Sequence, residues 1–399
     1  MFKKVLTGLL VVSTVAVIAG CNLNADKSQS GSINSTQSEI SVAGNSTASQ
    51  TASQNASSTV NNSTQNSSVA SAKSSASSAT SGGYTAAQQL TLKKASNVIN
   101  WQLDNGGWGK NYDTTSTFTK FPSDYCWTVS GKFVGTIDNK ATYTEMRILA
   151  EAYDISKDKK FKNSFDKGMG FLKKLQYSSG GFGQIYPRNG KYNDYVTFND
   201  DAMVNVLYFL QDIANNKAPF KNITDETTRK NCATMVSKGV DYILKSQITV
   251  KGEKAAWCAQ HDPTSYKPMK ARSYELPSVS GSESVGIIKF LKTQANNREA
   301  LDAAEAARKW LVAHRIENTA YSKSSAPNSF TTKQGSYCWY RFYDLTDGRG
   351  FFCTRAGKVY YNFAEFCAAD YGSKEAGKYD RANGYDWAGS WLQKAGLNY

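Results

Sequence analysis

The sequence predicts a mainly α fold: three helical hairpins closed into an α/α toroid, an (α/α)3 barrel, with long loops and a few short strands. Three observations carry this expectation. A loop pairing small residues with an aromatic recurs as Gly106-Gly107-Trp108-Gly109, Gly180-Gly181-Phe182-Gly183 and, degenerately, Ala255-Ala256-Trp257-Cys258, its aromatics 74 and 75 residues apart. A fixed period of this kind is a fold-level signal. Amphipathic helical segments flank each loop, and a helical hairpin can bury its apolar stripe only against its neighbours. The loops are long, aromatic-rich and unequal, which favours a closed barrel over an open solenoid.

Residues 1–20 read as an export signal: Lys3 and Lys4 precede a weakly polar to apolar run over 5–20 that is too short for a mature membrane span. The run ends Ile18-Ala19-Gly20-Cys21, which resembles the bacterial lipobox and predicts a lipid anchor at Cys21. Residues 22–83 are almost all Ser, Thr, Asn, Gln, Ala and Gly, too polar to offset the entropy of ordering. A coil of about 60 such residues has an end-to-end distance near 40–45 Å, enough to hold a domain clear of an envelope. Residues 84–399 form the folded domain. The chain is therefore expected to be exported, lipid-anchored on the outer face of a bacterial membrane or otherwise secreted.

The formal charge is +14, or +12 once Lys3 and Lys4 are removed, which predicts acidic partners. By charge alone, nucleic acid, anionic lipid and anionic polysaccharide all qualify. Export makes nucleic acid the least suitable of them, and no segment is a basic amphipath of the membrane-surface type. With Cys21 lipidated, Cys126, Cys232, Cys258, Cys338, Cys353 and Cys367 remain for an expected one or two disulfides. No Cys-x-x-Cys occurs, and His261 and His314 lack ligand spacing to any cysteine, which argues against zinc. No feature argues for an oligomer, so a monomer is expected.

Within the domain, residues 85–103 supply a leading helix. Helical periodicity then pairs 143–155 with 161–177, the Met203/Val206/Leu207/Leu210 face with the Met235/Val236/Val240/Ile243/Leu244 face, and 284–293 with 299–315. Residues 337–362, with alternating bulky residues and Gly348, Gly350 and Gly357, read as short strands or ordered loop packed over the ring.

Polar clusters precede each hairpin: Thr136-Ile137-Asp138-Asn139, Phe198-Asn199-Asp200-Asp201 and 278–283. Such side chains suit helix N-caps, and Thr142-x-x-Glu145 and Ser280-x-x-Glu283 fit the capping box. Asp138 lies a turn ahead of Thr142, however, and Asn199-Asp200-Asp201 holds more carboxylate than one cap requires. Asp138, Asn199 and Asp200 are therefore candidate oxygen ligands for calcium, although no EF-hand spacing supports them. The third loop carries His261, Lys270, Arg272 and Glu275, and Arg272 ranks no higher than His261 as a base on these grounds. Arg341, Arg349 and Arg355 suit carboxylate or phosphate recognition, or else simple pairing with Asp344 and Asp347. Trp108, Trp257 and Trp339 are candidates for sugar stacking or for the core.

The segments Leu103-Asp104-Asn105-Gly106-Gly107-Trp108-Gly109-Lys110-Asn111, Asp138-Asn139-Lys140-Ala141-Thr142-Tyr143-Thr144-Glu145, Thr197-Phe198-Asn199-Asp200-Asp201-Ala202-Met203 and Arg272-Ser273-Tyr274-Glu275-Leu276-Pro277-Ser278 stand in sequence order with Arg341-Phe342-Tyr343-Asp344 and Arg355-Ala356-Gly357. Together they resemble the family 10 polysaccharide lyases, pectate lyases built on a three-hairpin toroid. The resemblance spans about 89–362, with a weaker tail at Asn383-Gly384-Tyr385-Asp386-Trp387. It implies that Arg272 is the catalytic base, that Asp138, Asn199 and Asp200 serve calcium, and that Arg341 and Arg355, with Asp138, hold the substrate. The implied reaction is β-elimination in polygalacturonate, with calcium and neighbouring arginines lowering the Arg272 pKa and giving an alkaline optimum. The carbohydrate-binding modules of many family members have no counterpart in the tether. Two alternatives stay open: a calcium-independent hydrolase using Asp138 and Asp200, and a non-catalytic pectin-binding protein.

Overall fold

A part-buried glutamine amide follows each of three helices and ties it to the next in the series. The computed structural model describes residues 83–123, 127–372 and 377–399. The signal segment, most of the tether and Cys126 lie outside them. The helices are α1 (Ala86–Asn100), α2 (Tyr143–Ser156), α3 (Lys159–Leu175), α4 (Ala202–Ala214), α5 (Glu226–Lys245), α6 (Glu283–Leu291), α7 (Arg298–Ala313), α8 (Phe363–Asp370) and the single turn α9 (Trp391–Lys394). The expected hairpins are all present: α2 packs on α3, α4 on α5 and α6 on α7, while α1 lies against α2 and α3.

The repeat is carried by hydrogen bonds that the spacing alone did not disclose. Gln102 Nε2 donates to Gly106 O (2.8 Å) in its own loop and to Ser164 O (2.9 Å) of α3. Gln176 Nε2 does the same to Gly180 O and to Met235 O of α5, both at 2.9 Å. Gln247 Nε2 reaches Ala255 O (2.9 Å) and Ala303 O of α7 (3.0 Å). The loop aromatics obey a parallel rule. Trp108 Nε1 donates to Val98 O of α1, Trp257 Nε1 to Ile243 O of α5 and Trp339 Nε1 to Leu311 O of α7, at 2.8, 2.8 and 2.7 Å. Trp339 is thus a fourth loop aromatic. All three tryptophans are fully buried, so the core reading holds and the stacking reading does not.

Between neighbouring hairpins, Arg147 of α2 pairs with Asp212 of α4 at 2.8 Å, and Gln294 Nε2 past α6 donates to Gln211 Oε1 of α4 at 3.1 Å. After α7 the chain forms a long antiparallel hairpin, Ile316–Ser322 with Ser329–Tyr340, extended to three strands by Ala388–Gly389. Short strands Phe342–Tyr343, Gly350–Cys353 and Val359–Tyr360 follow, as expected for 337–362. Phe342–Tyr343 also pairs with Val279–Ser280, which brings the C-terminal segment against the start of α6. A second aromatic core, including Tyr274, Phe342, Phe352, Phe366 and Trp387, fills the space beneath it.

Two expectations are corrected. Thr142 does not cap α2: at φ +71° its hydroxyl donates to Thr136 O (2.7 Å) and accepts from Trp108 N–H (3.1 Å). Cys232, Cys258, Cys338 and Cys353 are buried free thiols, so none of these four forms the expected disulfide.

Gly180 sits at φ +103°, and a Cβ there would lie 1.9 Å from Lys238 O of α5. Backbone cannot yield as a flexible side chain can, so Gly180→Ala is expected to cost about 3 kcal/mol in chemical denaturation. Gly170, inside α3 with open space around it, serves as the control: its alanine variant should be neutral or up to about 1 kcal/mol more stable.

Candidate active site

The first two polar clusters do not merely begin helices; they enter them through left-handed backbone. Asn139, Asp200 and Asp201 have φ of +48°, +53° and +58°. Asn and Asp tolerate this region better than other residues with a Cβ, and such conformations gather at functional sites. The first cluster is fixed by Thr136, whose hydroxyl donates to Gln184 O (2.8 Å) and accepts from Asp138 N–H (3.0 Å). The second hangs from Ala259 O, which accepts from Phe198 N–H (2.8 Å) and Asn199 N–H (3.1 Å). Pairing of Val196–Thr197 with Gln260–His261 ties this cluster to the third loop.

The Asp138 carboxylate is buried and ion-paired with the Lys110 ammonium, which also stands over the Trp127 ring. Asn199 Nδ2 donates to Asp200 Oδ2 at 2.7 Å, and Arg341 Nη2 reaches Asn199 Oδ1 at 3.5 Å. The same Arg341 nitrogen donates to Glu283 Oε1 at 2.6 Å. Glu283 also receives the Ser280 hydroxyl, which itself accepts from Glu283 N–H (3.2 Å). The capping geometry expected at Ser280 is therefore present only from the hydroxyl side. The glutamate is committed to Arg341.

Burial of its carboxylate and the charge of Glu283 raise Asp200 above the usual carboxylate range, with Asp138 adding to the rise and Arg341 opposing it. Asp201 is pushed up to about 6 by burial, Glu283 and Asp200. Burial acts to lower the Arg341 pKa, but Glu283 together with Tyr385, Asp200 and Glu275 outweighs it and holds the guanidinium charged. Arg341 Nε is buried without a hydrogen-bond partner, a donor left for a ligand.

Arg272 is held by Glu275, its Nε donating to Oε2 at 2.7 Å and its Nη2 to Oε1 at 2.6 Å. Burial acts to lower its pKa, but the hydrogen bonds and charge of Glu275 carry the net shift upward, the reverse of the sequence expectation. Tyr274 joins the arginines: the guanidinium carbons of Arg272, Arg355 and Arg381 lie 5.4, 5.4 and 4.9 Å from its ring centre. Tyr385, edge-on to Tyr274, has Arg341 5.3 Å from its ring and donates its hydroxyl to Glu275 Oε1 at 3.2 Å. Arg355 is half-exposed and pairs with Asp380 at 2.7 Å. The structure thus brings Arg272, Arg341 and Arg355 to one aromatic wall, and Arg341 joins that wall to Asn199 and Asp200.

Other candidates fall away. His261 is buried and neutral: Nε2 accepts from Cys258 N–H (2.9 Å), Nδ1 donates to Tyr266 O (2.8 Å), and burial lowers its pKa to about 4. Arg349 pairs with Asp347 and stacks on Tyr361, the surface arrangement. Arg381, Tyr385, Lys110 and the commitment of Glu283 were not foreseen. Lys110 and Tyr385 lie inside segments that carry the resemblance, and Glu283 inside a helix-start cluster, so a signal was present at these positions.

Among the described residues no group of three or more His, Cys, Asp or Glu is placed to hold a metal. Asp138, Asn199 and Asp200 do offer two carboxylates and an amide oxygen, and the upward shift of Asp200 reflects its burial first and then the negative charge of Glu283 and Asp138. That donor chemistry fits a hard cation whose shell is completed by an anionic ligand and water. Lys110 neutralises Asp138, so an entering cation competes with an ammonium.

A family model described as pectic acid lyase matches residues 102–395. The chain belongs to the pectate lyases of polysaccharide lyase family 10. Two solved structures from Cellvibrio cellulosa agree, each with 38% identity and a TM-score of 0.66. One, a family 10 polysaccharide lyase, is matched over 78% of this chain and 95% of its own. The other, a point variant of a family 10 polysaccharide lyase in complex with trigalacturonic acid, is matched over 76% and 93%. No curated protein sequence matched. As a polysaccharide lyase the chain is an enzyme, and its helix-rich architecture accords with this family.

Glu145, read as half of a capping box, is instead buried. Thr114 Oγ1 donates to its Oε1 at 2.9 Å, Oε2 has no partner, and burial raises its pKa from 4.5 to about 7. A folded pKa above the unfolded one means the protonated form is favoured by folding, so this stabilising preference is complete below about 4.5 and lost as pH rises through about 7. Glu145→Gln is therefore expected to raise folding stability at pH 8 by about 1–3 kcal/mol, with the gain vanishing near pH 4.5 in paired denaturation curves.

Proposed function

We propose that this lyase is a calcium-dependent pectate lyase that cleaves polygalacturonate by β-elimination to 4,5-unsaturated oligogalacturonates. The observation that carries the reading is the opposition of Arg272, Arg341 and Arg355 to the Asp138/Asn199/Asp200 oxygens, joined through Arg341 with its unpartnered buried Nε. A uronate carboxylate suits that place: it can accept from guanidinium on one side and share a cation on the other. The trigalacturonic acid bound by the Cellvibrio relative supports the same substrate class.

The C5 proton is α to a carboxylate that already bears charge, so its removal builds an enolate-like anion. Arg341 and Arg355 bind the uronate and stabilise that charge, while Asp138, Asn199 and Asp200 would hold calcium. When bound, calcium supplies further Lewis-acid neutralisation of the uronate. Arg272, in the small fraction that is neutral, accepts the C5 proton. The C5–H electron pair becomes the C4=C5 double bond, the C4–O4 bond breaks, and the leaving O4 takes a proton from water. The arginine set favours this reading over a hydrolase, which needs one proton-donating and one basic carboxylate.

The hairpin contacts α4–α6 and α5–α7 and the three glutamine ties support a serial packing of the hairpins, which we read as an (α/α)3 toroid. Composition supports 84–399 as the catalytic domain and 22–83 as a tether, and the motif at 18–21 supports cleavage before a lipidated Cys21; we read the protein as a monomer anchored on the outer face of a bacterial membrane or otherwise secreted.

Ultraviolet absorbance of the unsaturated uronide is expected to rise when the purified chain meets polygalacturonate with calcium, and to stop with chelator. Reducing ends without absorbance would instead identify a hydrolase. Because Arg272 is held charged, kcat/KM should climb about tenfold per pH unit into the alkaline range, and Arg272→Ala should lose about 100- to 10,000-fold. A flat profile with activity retained in that variant refutes the assignment.

A further inference from the structure

Arg272 and Glu275 form a closed local unit whose geometry is asymmetric. Glu275 N–H donates to Arg272 O at 2.9 Å, Ala271 N–H donates to Glu275 O at 3.1 Å, and Arg272 N–H approaches Glu275 Oε2 at 3.3 Å. The side chains then meet side-on: Nε and Nη2 face the carboxylate, and among the described residues Nη1 has no partner. Glu275 is only 5% exposed, whereas the Arg272 side chain is 48% exposed. One partner is anchored and the other projects into solvent.

We propose that Glu275 is a positioning residue that selects Arg272 Nη1 as the nitrogen presented to the substrate, with Tyr385 holding Glu275 in place. This rests on the reading of Arg272 as the proton acceptor. A guanidinium on a long side chain has three nitrogens and many rotamers, and proton transfer requires one nitrogen in line with one C–H bond. A two-point salt bridge through Nε and Nη2 removes rotation about the terminal bonds and leaves a single nitrogen pointing away from the anchor. Tyr385 completes the unit. Burial keeps its hydroxyl protonated, so it donates to Glu275 Oε1 throughout the working range, and its ring lies between Arg341 and Arg381.

The unit also sets the charge of the acceptor. The groups facing Arg272 are Glu275 and Tyr274 of its own turn, Tyr192 from the turn Tyr192–Asp194, Arg355 past the strand Gly350–Cys353, and Tyr385 of the C-terminal loop, with Arg381 sharing the Tyr274 ring. Glu275 is the anion among them that touches the guanidinium. Orientation and basicity are thus opposed in one residue: the carboxylate that aims Arg272 also retains its proton, and the site gives up some neutral acceptor for a fixed geometry.

The test is steady-state β-elimination of polygalacturonate by the full chain with calcium, over a pH series. Glu275→Gln keeps the size but removes the charge and one acceptor. Its kcat is expected to fall about 10- to 100-fold with KM within about twofold, and the acid limb of kcat/KM should move down by about one pH unit or more. Glu275→Asp restores the charge without the reach, so kcat should stay low while the limb returns to the wild-type position. Should the Glu275 variants fail to fold, Tyr385→Phe is expected to lower kcat several-fold at constant KM. Wild-type kcat in Glu275→Gln, or a loss with an unmoved limb, overturns the proposal; so does unchanged kcat in Tyr385→Phe. Arg272→Ala run alongside separates the two readings. If it retains turnover, the assignment of Arg272 as proton acceptor fails while the lyase reading stands, and if it is inactive while Glu275→Gln is unaffected only the positioning role fails.

Discussion

Everything at the site depends on how the loops are fastened to the helices, and a glutamine amide does that fastening. Gln102, Gln176 and Gln247 each donate two hydrogen bonds, one within their own loop and one to a carbonyl on the next helix of the α1, α3, α5, α7 series. A part-buried amide with both protons used resists replacement, because either carbonyl left alone carries a desolvation cost. The tie fixes helix spacing and loop height together. The tryptophan indoles of Trp108, Trp257 and Trp339 then set the depth of the chain after α1, α5 and α7. With the loops at common height, the clusters that enter α2, α4 and α6 are presented at corresponding levels.

Much of this was legible because helical periodicity and small-residue loops are local signals. The expected segments 143–155 and 161–177 correspond to Tyr143–Ser156 and Lys159–Leu175. The capping-box failure at α2 has a physical cause: competing partners elsewhere in the chain. Thr142 and Glu145 have capping-box spacing, yet Trp108 and Thr136 recruit the hydroxyl and Thr114 the carboxylate. The hairpin Ile316–Ser322 with Ser329–Tyr340 escaped notice because it is mostly half-exposed or exposed, so selection for apolar alternation is weak. Trp339 follows that insertion without a small-residue pair before it, and its membership of the repeat was hidden.

The candidate site was readable as a set of positions but not as a set of charge states. Resemblance singled out Asp138, Asn199, Asp200, Arg272, Arg341 and Arg355, and the fold gathers the three arginines on the Tyr274/Tyr385 wall, with Arg341 touching Asn199. What could not be read was which acid each arginine meets. Glu275 is three residues from Arg272, Glu283 is 58 from Arg341 and Asp380 is 25 from Arg355. The expectation that like charges depress the Arg272 pKa ignored the first of these contacts. A carboxylate within hydrogen-bond distance outweighs guanidinium groups arranged around a ring.

Arg341 shows why such pairing is compatible with binding an anion. Its side chain is 11% exposed and that of Glu283 is 2% exposed, so separating them would leave two poorly solvated charges. The pair therefore behaves as a fixed dipole, not as an exchangeable contact. Its single bond to Glu283 uses Nη2, which leaves Nε unpartnered and the positive charge partly unspent. The pair is already formed in this site, so the ordering that an unpaired, mobile arginine would require is complete beforehand. Asn199 and Asp200 stand beside the same guanidinium, so whatever neutralises one side of the bound anion alters the field on the other. The oxygen cluster and the arginine wall form one electrostatic unit, with Arg341 as its shared member.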